Sequence, residues 1–118
     1  RLYPAHLLVQ PRDHGILIIG WAGAVQPGPA AGGAAFARDL QQAAWSMRAM
    51  LAPLAGGDPP AIPASVPAAL ARLLRRTSEE CAWCEATGAR RLDELLVAAA
   101  GAAFGAPRFI DFQPVPRA

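Results

Sequence analysis

The chain has 118 residues, 53% of them hydrophobic, and a formal net charge of +2 at pH 7. This length suits one domain with a modest core, so we treat residues 1–118 as a single domain. The nearly balanced charge gives no strong attraction to nucleic acid or anionic lipid. All eleven basic residues are arginines, which excludes a Walker-type phosphate loop and a lysine Schiff base.

No stretch of the sequence reaches the roughly 18 uninterrupted apolar residues of a membrane span. No charged-then-apolar signal opens the chain either. We therefore expect a cytoplasmic location and no membrane partner. Because the sequence begins at Arg1 rather than at methionine, we also expect it to be a piece of a longer chain.

Two short apolar runs near the amino terminus, residues 7–10 and 16–19, are typical of β-strands. The connecting residues 11–15 contain proline, aspartate and glycine, which favour a turn, so the pattern predicts a β-hairpin. Neither run alternates with polar residues, and this predicts burial on both faces or beneath another element. An isolated hairpin would not be stable alone.

The next segment, residues 25–33, carries two prolines and paired glycines and is predicted to form a loop. A first helix is predicted over residues 34–52, because apolar side chains recur there at helical spacing and Pro53 ends the run. Asp39 near its start can be a first-turn acid that complements the helix dipole. The predicted apolar stripe consists of Phe36, Leu40, Ala43, Met47 and Met50.

Residues 53–67 hold five prolines and two glycines and are predicted to form an extended loop. The segment 65–67, Ser-Val-Pro, is a helix start signal. The helix that follows is predicted to turn three leucines inward and three arginines toward solvent. We interpret the arginines as a solvated face rather than a phosphate site. These residues are Leu70, Leu73 and Leu74, and Arg72, Arg75 and Arg76.

Cys81 and Cys84 form a Cys-x-x-Cys pair, which can be a redox couple or half of a zinc site. Only His6 and His14 could complete a zinc site, and both are distant in sequence. Neighbouring glutamates are expected to raise the pKa of the thiols. We therefore predict structural thiols that are packed or half-buried.

A break at residues 87–88, Thr-Gly, is predicted to precede a last helix over residues 89–104. Gly105 and a following proline end that helix. In the extended tail, apolar anchors are expected at Phe109 and Phe112. The elements together predict an α+β, mainly α fold, with a short amino-terminal hairpin followed by three or four helices.

The first twenty-three residues resemble the catalytic centre of protein kinases. In that family the catalytic loop reads His-Arg-Asp-Leu-Lys-Pro-x-Asn, and two apolar strands joined by a turn lead to Asp-Phe-Gly. Leu2 and Pro4 fall on the family's leucine and proline, and the two apolar runs fall on its strands. The resemblance implies a bacterial, kinase-like carboxy-terminal lobe.

The reactive positions of this pattern are replaced. Arg1 stands at the catalytic aspartate and Tyr3 at the lysine. His6 stands at the metal-binding asparagine, and Gly20 at the aspartate of Asp-Phe-Gly. Phosphoryl transfer needs a carboxylate to orient the nucleophile and oxygen ligands for magnesium, whereas an arginine stays protonated. The resemblance therefore implies a pseudokinase, without cofactor or metal, that acts as a scaffold or protein-interaction module.

Three further residues take structural roles under this resemblance. Asp39 matches the aspartate of the family's central helix, a buried acceptor of catalytic-loop hydrogen bonds. Trp21 replaces a phenylalanine and is expected in the core or at an interface. Arg91, or its neighbour Arg90, stands where an arginine pairs with the glutamate of Ala-Pro-Glu, a motif that this sequence lacks.

A protein partner, or a missing amino-terminal part of the same chain, is expected to cover the hairpin. Two other functions stay open. One is a residual or atypical ATP-dependent phosphotransferase that recruits Asp13 or Asp39. The other is an unrelated α-rich domain in which Cys81 and Cys84 have a redox or metal role.

Overall fold

The computed structural model describes residues 4–9, 15–30, 32–52, 54 and 56–108. A two-stranded hairpin precedes three helices, which confirms the predicted mainly helical α+β architecture at this level. The elements are β1 (Leu7–Val9), β2 (Ile16–Ile18), α1 (Gly32–Leu51), α2 (Ala68–Glu79) and α3 (Cys81–Phe104). Single 3₁₀ turns precede and follow the hairpin, at Pro4–His6 and Trp21–Gly23. The expected anchors Phe109 and Phe112 lie outside the described residues.

The two predicted strands pair as a hairpin, and β2 is one residue shorter than expected, while residues 10–14 lie outside the described chain. β1 and β2 pair antiparallel, with Leu8 opposite Leu17. The prediction that the strands are buried is wrong, because Ile16 and Leu17 are 69% and 61% exposed. The 3₁₀ turn before β1 contacts α1.

The three helices pack against one another, and α1 contacts both α2 and α3. The predicted stripe of α1 is wrong in part, since Phe36, Met47 and Met50 are exposed. Small side chains pack better at a helix crossing because they let the two helices approach closely. The residues of α1 that are buried instead are Ala37, Ala44, Ser46 and Arg48.

Arg48 is the polar centre of this packing, with a side chain only 6% exposed. Its Nε donates to the carbonyl of Pro60 at 2.6 Å, and its Nη1 donates to Ser78 Oγ at 2.7 Å. The same Nη1 lies 2.5 Å from Oε1 of Glu79. One side chain of α1 therefore joins the loop before α2 to the end of α2.

The loop and the helix ends follow the sequence signals. Where it is described, the segment between α1 and α2 is non-helical, as predicted, and Trp45 Nε1 of α1 donates to Asp58 Oδ1 in it at 2.8 Å. The predicted break in the last helical region is confirmed, because Gly88 has φ 75° and ψ 160° inside α3. Gly105 ends α3 at φ 80°.

Replacing Arg48 with alanine is expected to destabilise the fold by about 2–4 kcal/mol, because Ser78 and the Pro60 carbonyl lose a buried donor. Urea unfolding measures this loss. Arg90→Ala is the matched control, since the Arg90 side chain is 96% exposed and its pair with Glu94 spans 3.7 Å. Equal effects of the two substitutions would contradict a structural role for the Arg48 cluster.

Replacing Gly88 with alanine is expected to cost about 1–3 kcal/mol, because a side chain disfavours positive φ even where space is open. Gly101→Ala in the same helix is the control, since a Cβ meets nothing there within 4 Å and no positive φ is needed. That change should be neutral or stabilising by up to about 1 kcal/mol. The unfolding temperatures of the two variants test this difference. A Gly88→Ala protein that is more stable than the wild type would show that the non-helical conformation at Gly88 is not required.

Candidate functional site

The two residues at the metal-ligand positions of the kinase pattern lie side by side. His6 ends the 3₁₀ turn before β1, and Gly20 follows β2 by two residues. The Ile19 N–H donates to the His6 carbonyl at 2.9 Å and brings the strand ends together. A Cβ built on Gly20 would lie 3.2 Å from His6 Cδ2 and 3.4 Å from Nε2. The His6 imidazole therefore rests against the backbone of Gly20.

This arrangement offers little to a magnesium ion. Magnesium prefers oxygen ligands, whereas the site presents an imidazole and a glycine with φ 84°. Within the described residues, no three or more His, Cys, Asp or Glu side chains are grouped so that they could hold a metal ion. Arg1, Tyr3 and Asp13, which the sequence analysis assigned to this site, lie outside the described part of the chain.

Trp21 lies directly beyond this pair. Its indole Nε1 donates to the carbonyl of Ile18 at 2.8 Å, while the residue as a whole is 65% exposed. A role in the core is therefore wrong for Trp21, and an interface role remains a prediction. The hydrogen bond holds the indole against the outer edge of β2.

The other residues of the kinase pattern lie in the helices. Asp39 is exposed on α1 beyond its first turn, which contains no acidic residue. The predictions of a first-turn acid and of a buried acceptor are therefore both wrong for this residue. Arg91 is also exposed and donates within α3 to Glu94 Oε2 at 2.9 Å. In the described part of the chain, neither side chain forms a hydrogen bond or ion pair with His6 or Gly20.

The cysteine pair opens α3, which begins eight residues before the predicted start of the last helix at residue 89. Cys81 is partly buried, whereas Cys84 is fully buried and its thiol donates to the Thr77 carbonyl of α2 at 3.3 Å. Burial raises the pKa of the Cys84 thiol, and the nearby Cys81 and Glu80 raise it further. A thiol that stays protonated is a poor nucleophile and metal ligand. Cys84 therefore acts as a packing residue between α2 and α3.

A cavity of about 200 Å³ lies among the three helices and was not anticipated from the sequence. Its wall is almost entirely aliphatic, with Asp93 as its one ionisable residue among those described. The inward leucines of α2 and α3 are the sequence signal that points to this place. The residues that line it include Leu40, Ala43, Met47, Leu73, Leu92 and Leu96.

Comparison of the chain with protein-family models, with curated proteins and with solved structures finds no match. Among the described residues, no helix combines the length and the apolar character needed to cross a membrane.

The raised pKa of Cys84 predicts a pH dependence of stability. Below the ordinary thiol pKa of 9.0, the thiol is protonated in both the folded and the unfolded chain, so it gives the free energy of unfolding no dependence on pH. Above it, the thiol ionises more readily in the unfolded chain, so stability falls as the pH rises toward the folded pKa. Urea unfolding between pH 7 and 10, under a reductant, measures this slope.

Cys84→Ala should remove the contribution of this thiol, whereas Cys81→Ala should keep most of it because burial is its main cause. Each variant loses one thiol sulfur, and the two positions lie one helical turn apart in α3. Identical slopes in the wild type and in Cys84→Ala would show that Cys84 is not the group responsible.

Proposed function

We propose that this chain is a catalytically inactive, protein kinase-like carboxy-terminal lobe that serves as a scaffold or protein-interaction module. The observation that carries the proposal is the contact between the His6 imidazole and Gly20. The kinase pattern requires its metal-binding asparagine and aspartate to lie close together. In this chain the two matching positions are adjacent, and neither carries an oxygen ligand.

The path of the chain supports the same proposal. The resemblance requires a loop, a strand, a turn, a second strand and then the metal-binding motif. β1 and β2 pair directly between His6 and Gly20, which is the order that the pattern needs. Three helices follow, as the lobe requires after its activation segment.

The exposed apolar side chains of the hairpin support the interaction role. Soluble monomers rarely expose large contiguous apolar patches, and such patches mark binding surfaces. Leu8, Leu17 and Ile19 project from one face of the hairpin and are each at least 40% exposed. Ile16 and Ile18 add exposed surface on the opposite face.

The two alternative functions have less support. A residual phosphotransferase would need a carboxylate at the site, but Asp39 is exposed on α1, and Asp13 lies outside the described residues. A redox or metal role would need a reactive thiolate, whereas burial raises the pKa of Cys84.

The proposal predicts that the wild-type protein neither hydrolyses ATP nor gains thermal stability from ATP in a magnesium-dependent way. A ligand at a hundred times its dissociation constant would stabilise the fold by about 2.7 kcal/mol, which a melting experiment detects. Magnesium-dependent turnover or stabilisation of the wild type would contradict inactivity and favour the phosphotransferase alternative.

A repaired variant tests whether these positions are the remains of a metal site. In the double variant His6→Asn with Gly20→Asp, the shorter asparagine makes room for the new Cβ, and aspartate tolerates positive φ better than most residues. With Mn²⁺ and ATP, amide NMR signals next to β1 and β2 should broaden in this variant and not in the wild type.

Gly28→Asp is the matched control, because Gly28 is exposed and has open space around its Cα. It adds the same charge outside the pair and should not broaden the hairpin signals. If the double variant and the control behave alike, the resemblance loses its structural basis.

A further inference from the structure

The three helices enclose an unfilled apolar space, a cavity of about 200 Å³. Its wall draws on every helix, with Leu40 on α1, Leu73 on α2 and Leu92 on α3. Side chains that face an empty space have no van der Waals contacts on that side. A molecule that filled the cavity would supply these contacts.

Water is a poor occupant of this cavity. A buried water needs about two to four polar partners. Among the described lining residues, Thr77 carries the one hydroxyl group, which already donates to the Leu73 carbonyl at 2.8 Å. Apart from Asp93, the other lining residues are alanines, leucines and a methionine. An apolar molecule therefore fills the space better than water does.

A segment of protein is also a poor occupant. An extended peptide carries an N–H and a C=O group at nearly every residue, and the helical backbone of the wall has already bonded its own groups internally. A docked helix satisfies its own backbone but presents several anchor side chains along a groove. The space of about 200 Å³ suits a single small molecule instead, since a cavity of roughly 150 Å³ holds one benzene.

One side of the cavity opens to solvent. Met47 and Leu96, both in its wall, are 43% and 38% exposed, and Asp93 is exposed as well. Methionine is flexible and adapts to irregular shapes, which suits the entrance of a ligand site. A ligand would therefore place its apolar part inward and its polar end at the open side, beside Asp93.

The charge at this opening favours a cation. Asp93 contributes a carboxylate, and no arginine lines the cavity among the described residues. Arg90 and Arg91, the neighbouring arginines of α3, pair with Glu94 instead. An ammonium group can donate charge-assisted hydrogen bonds to a carboxylate, whereas a fatty acid would bring a second negative charge to it.

We propose that this cavity binds a small alkyl amine, whose chain fills the aliphatic space and whose ammonium group pairs with Asp93. A chain of about eight carbons matches the volume, by comparison with benzene in a cavity of roughly 150 Å³. The site lies in the helical part of the chain and goes beyond the proposed interaction role, because it involves neither His6 nor Gly20. The ATP experiments and the ligand experiments can therefore fail independently.

Three probes with the same chain length test the proposal, namely octylamine, 1-octanol and octanoate. In titrations followed by amide NMR, octylamine should shift signals of α1, α2 and α3 around the cavity with a Kd of about 1 mM or lower. It should bind about threefold or more tightly than octanol, as expected for one exposed ion pair, and about tenfold or more tightly than octanoate. The formal net charge of the chain is +2, so a general electrostatic attraction would give the opposite order of octylamine and octanoate.

Asp93→Asn tests the contact with the head group. Asparagine keeps the shape of the side chain and removes its charge, so octylamine should lose its advantage over octanol, while octanol binds within about twofold of its wild-type affinity. Asp39→Asn is the matched control, because Asp39 is exposed on α1 and does not line the cavity. This control variant should keep the advantage of octylamine.

Ala43→Leu tests the contact with the chain. The larger side chain occupies part of the cavity and should weaken the binding of all three probes by about tenfold or more. Ala98→Leu is the matched control, since Ala98 is exposed on α3 and lies outside the wall. It should bind the probes like the wild type, and circular dichroism establishes that each variant folds.

An absence of saturable octylamine binding would overturn the proposal. So would octanoate that binds as tightly as octylamine, or an undiminished advantage of octylamine in Asp93→Asn. A folded Ala43→Leu variant that binds the probes as well as the wild type would place the ligand outside the cavity and would equally overturn it.

Discussion

The helical part of this structure depends on one buried guanidinium. Arg48 cannot lose its charge, so its burial requires that its N–H donors find acceptors in fixed directions. The acceptors come from the Pro60 carbonyl, Ser78 and Glu79, which lie on two different segments of the chain. A hydrophobic contact tolerates sliding, but this set of bonds fixes where α2 ends relative to α1. The apolar core of the described residues is small, which makes such a constraint more important.

The hairpin has no comparable constraint. The described contact with α1 comes from the 3₁₀ turn at Pro4–His6, and the strands expose apolar side chains on both faces. The chain therefore joins a helical unit ordered by polar bonds to a hairpin that carries unburied hydrophobic surface. This contrast explains why the proposed protein association concerns the hairpin, while the stability arguments concern Arg48 and Gly88.

Local signals in the sequence were enough to place the hairpin strands and α1, whereas residues 81–88 of α3 were not predicted to be helical. Glycine and proline mark the hairpin turn, the loop before α2 and the break at Gly88, because these effects depend on a single residue's backbone. Three buried residues of α1, namely Ala37, Ala44 and Arg48, each lie one residue, or about 100° around the helix, from a predicted stripe position, whereas Leu40 and Ala43 of that stripe do face the cavity among the helices. Alanines such as Ala37 and a buried Arg48 give no hydrophobic signal, and Ser78 lies thirty residues away from Arg48. The contact of His6 with Gly20 was not predicted, and the exposure of the strands depends on tertiary packing that the sequence pattern does not encode.

Under the proposed function, the absence of oxygen ligands at positions 6 and 20 and the exposure of the hairpin are physically connected. A carboxylate at position 20 would have to be desolvated whenever another surface covered this end of the hairpin, at a cost of several kcal/mol unless it were paired. Glycine at that position removes the cost, and the His6 imidazole rests against its backbone. With no charged residue in the described hairpin and its flanks, burial of Leu8 and its neighbours meets little electrostatic opposition. Under the proposed function, the residues at positions 6 and 20 that offer magnesium no oxygen ligand also favour a surface for protein association.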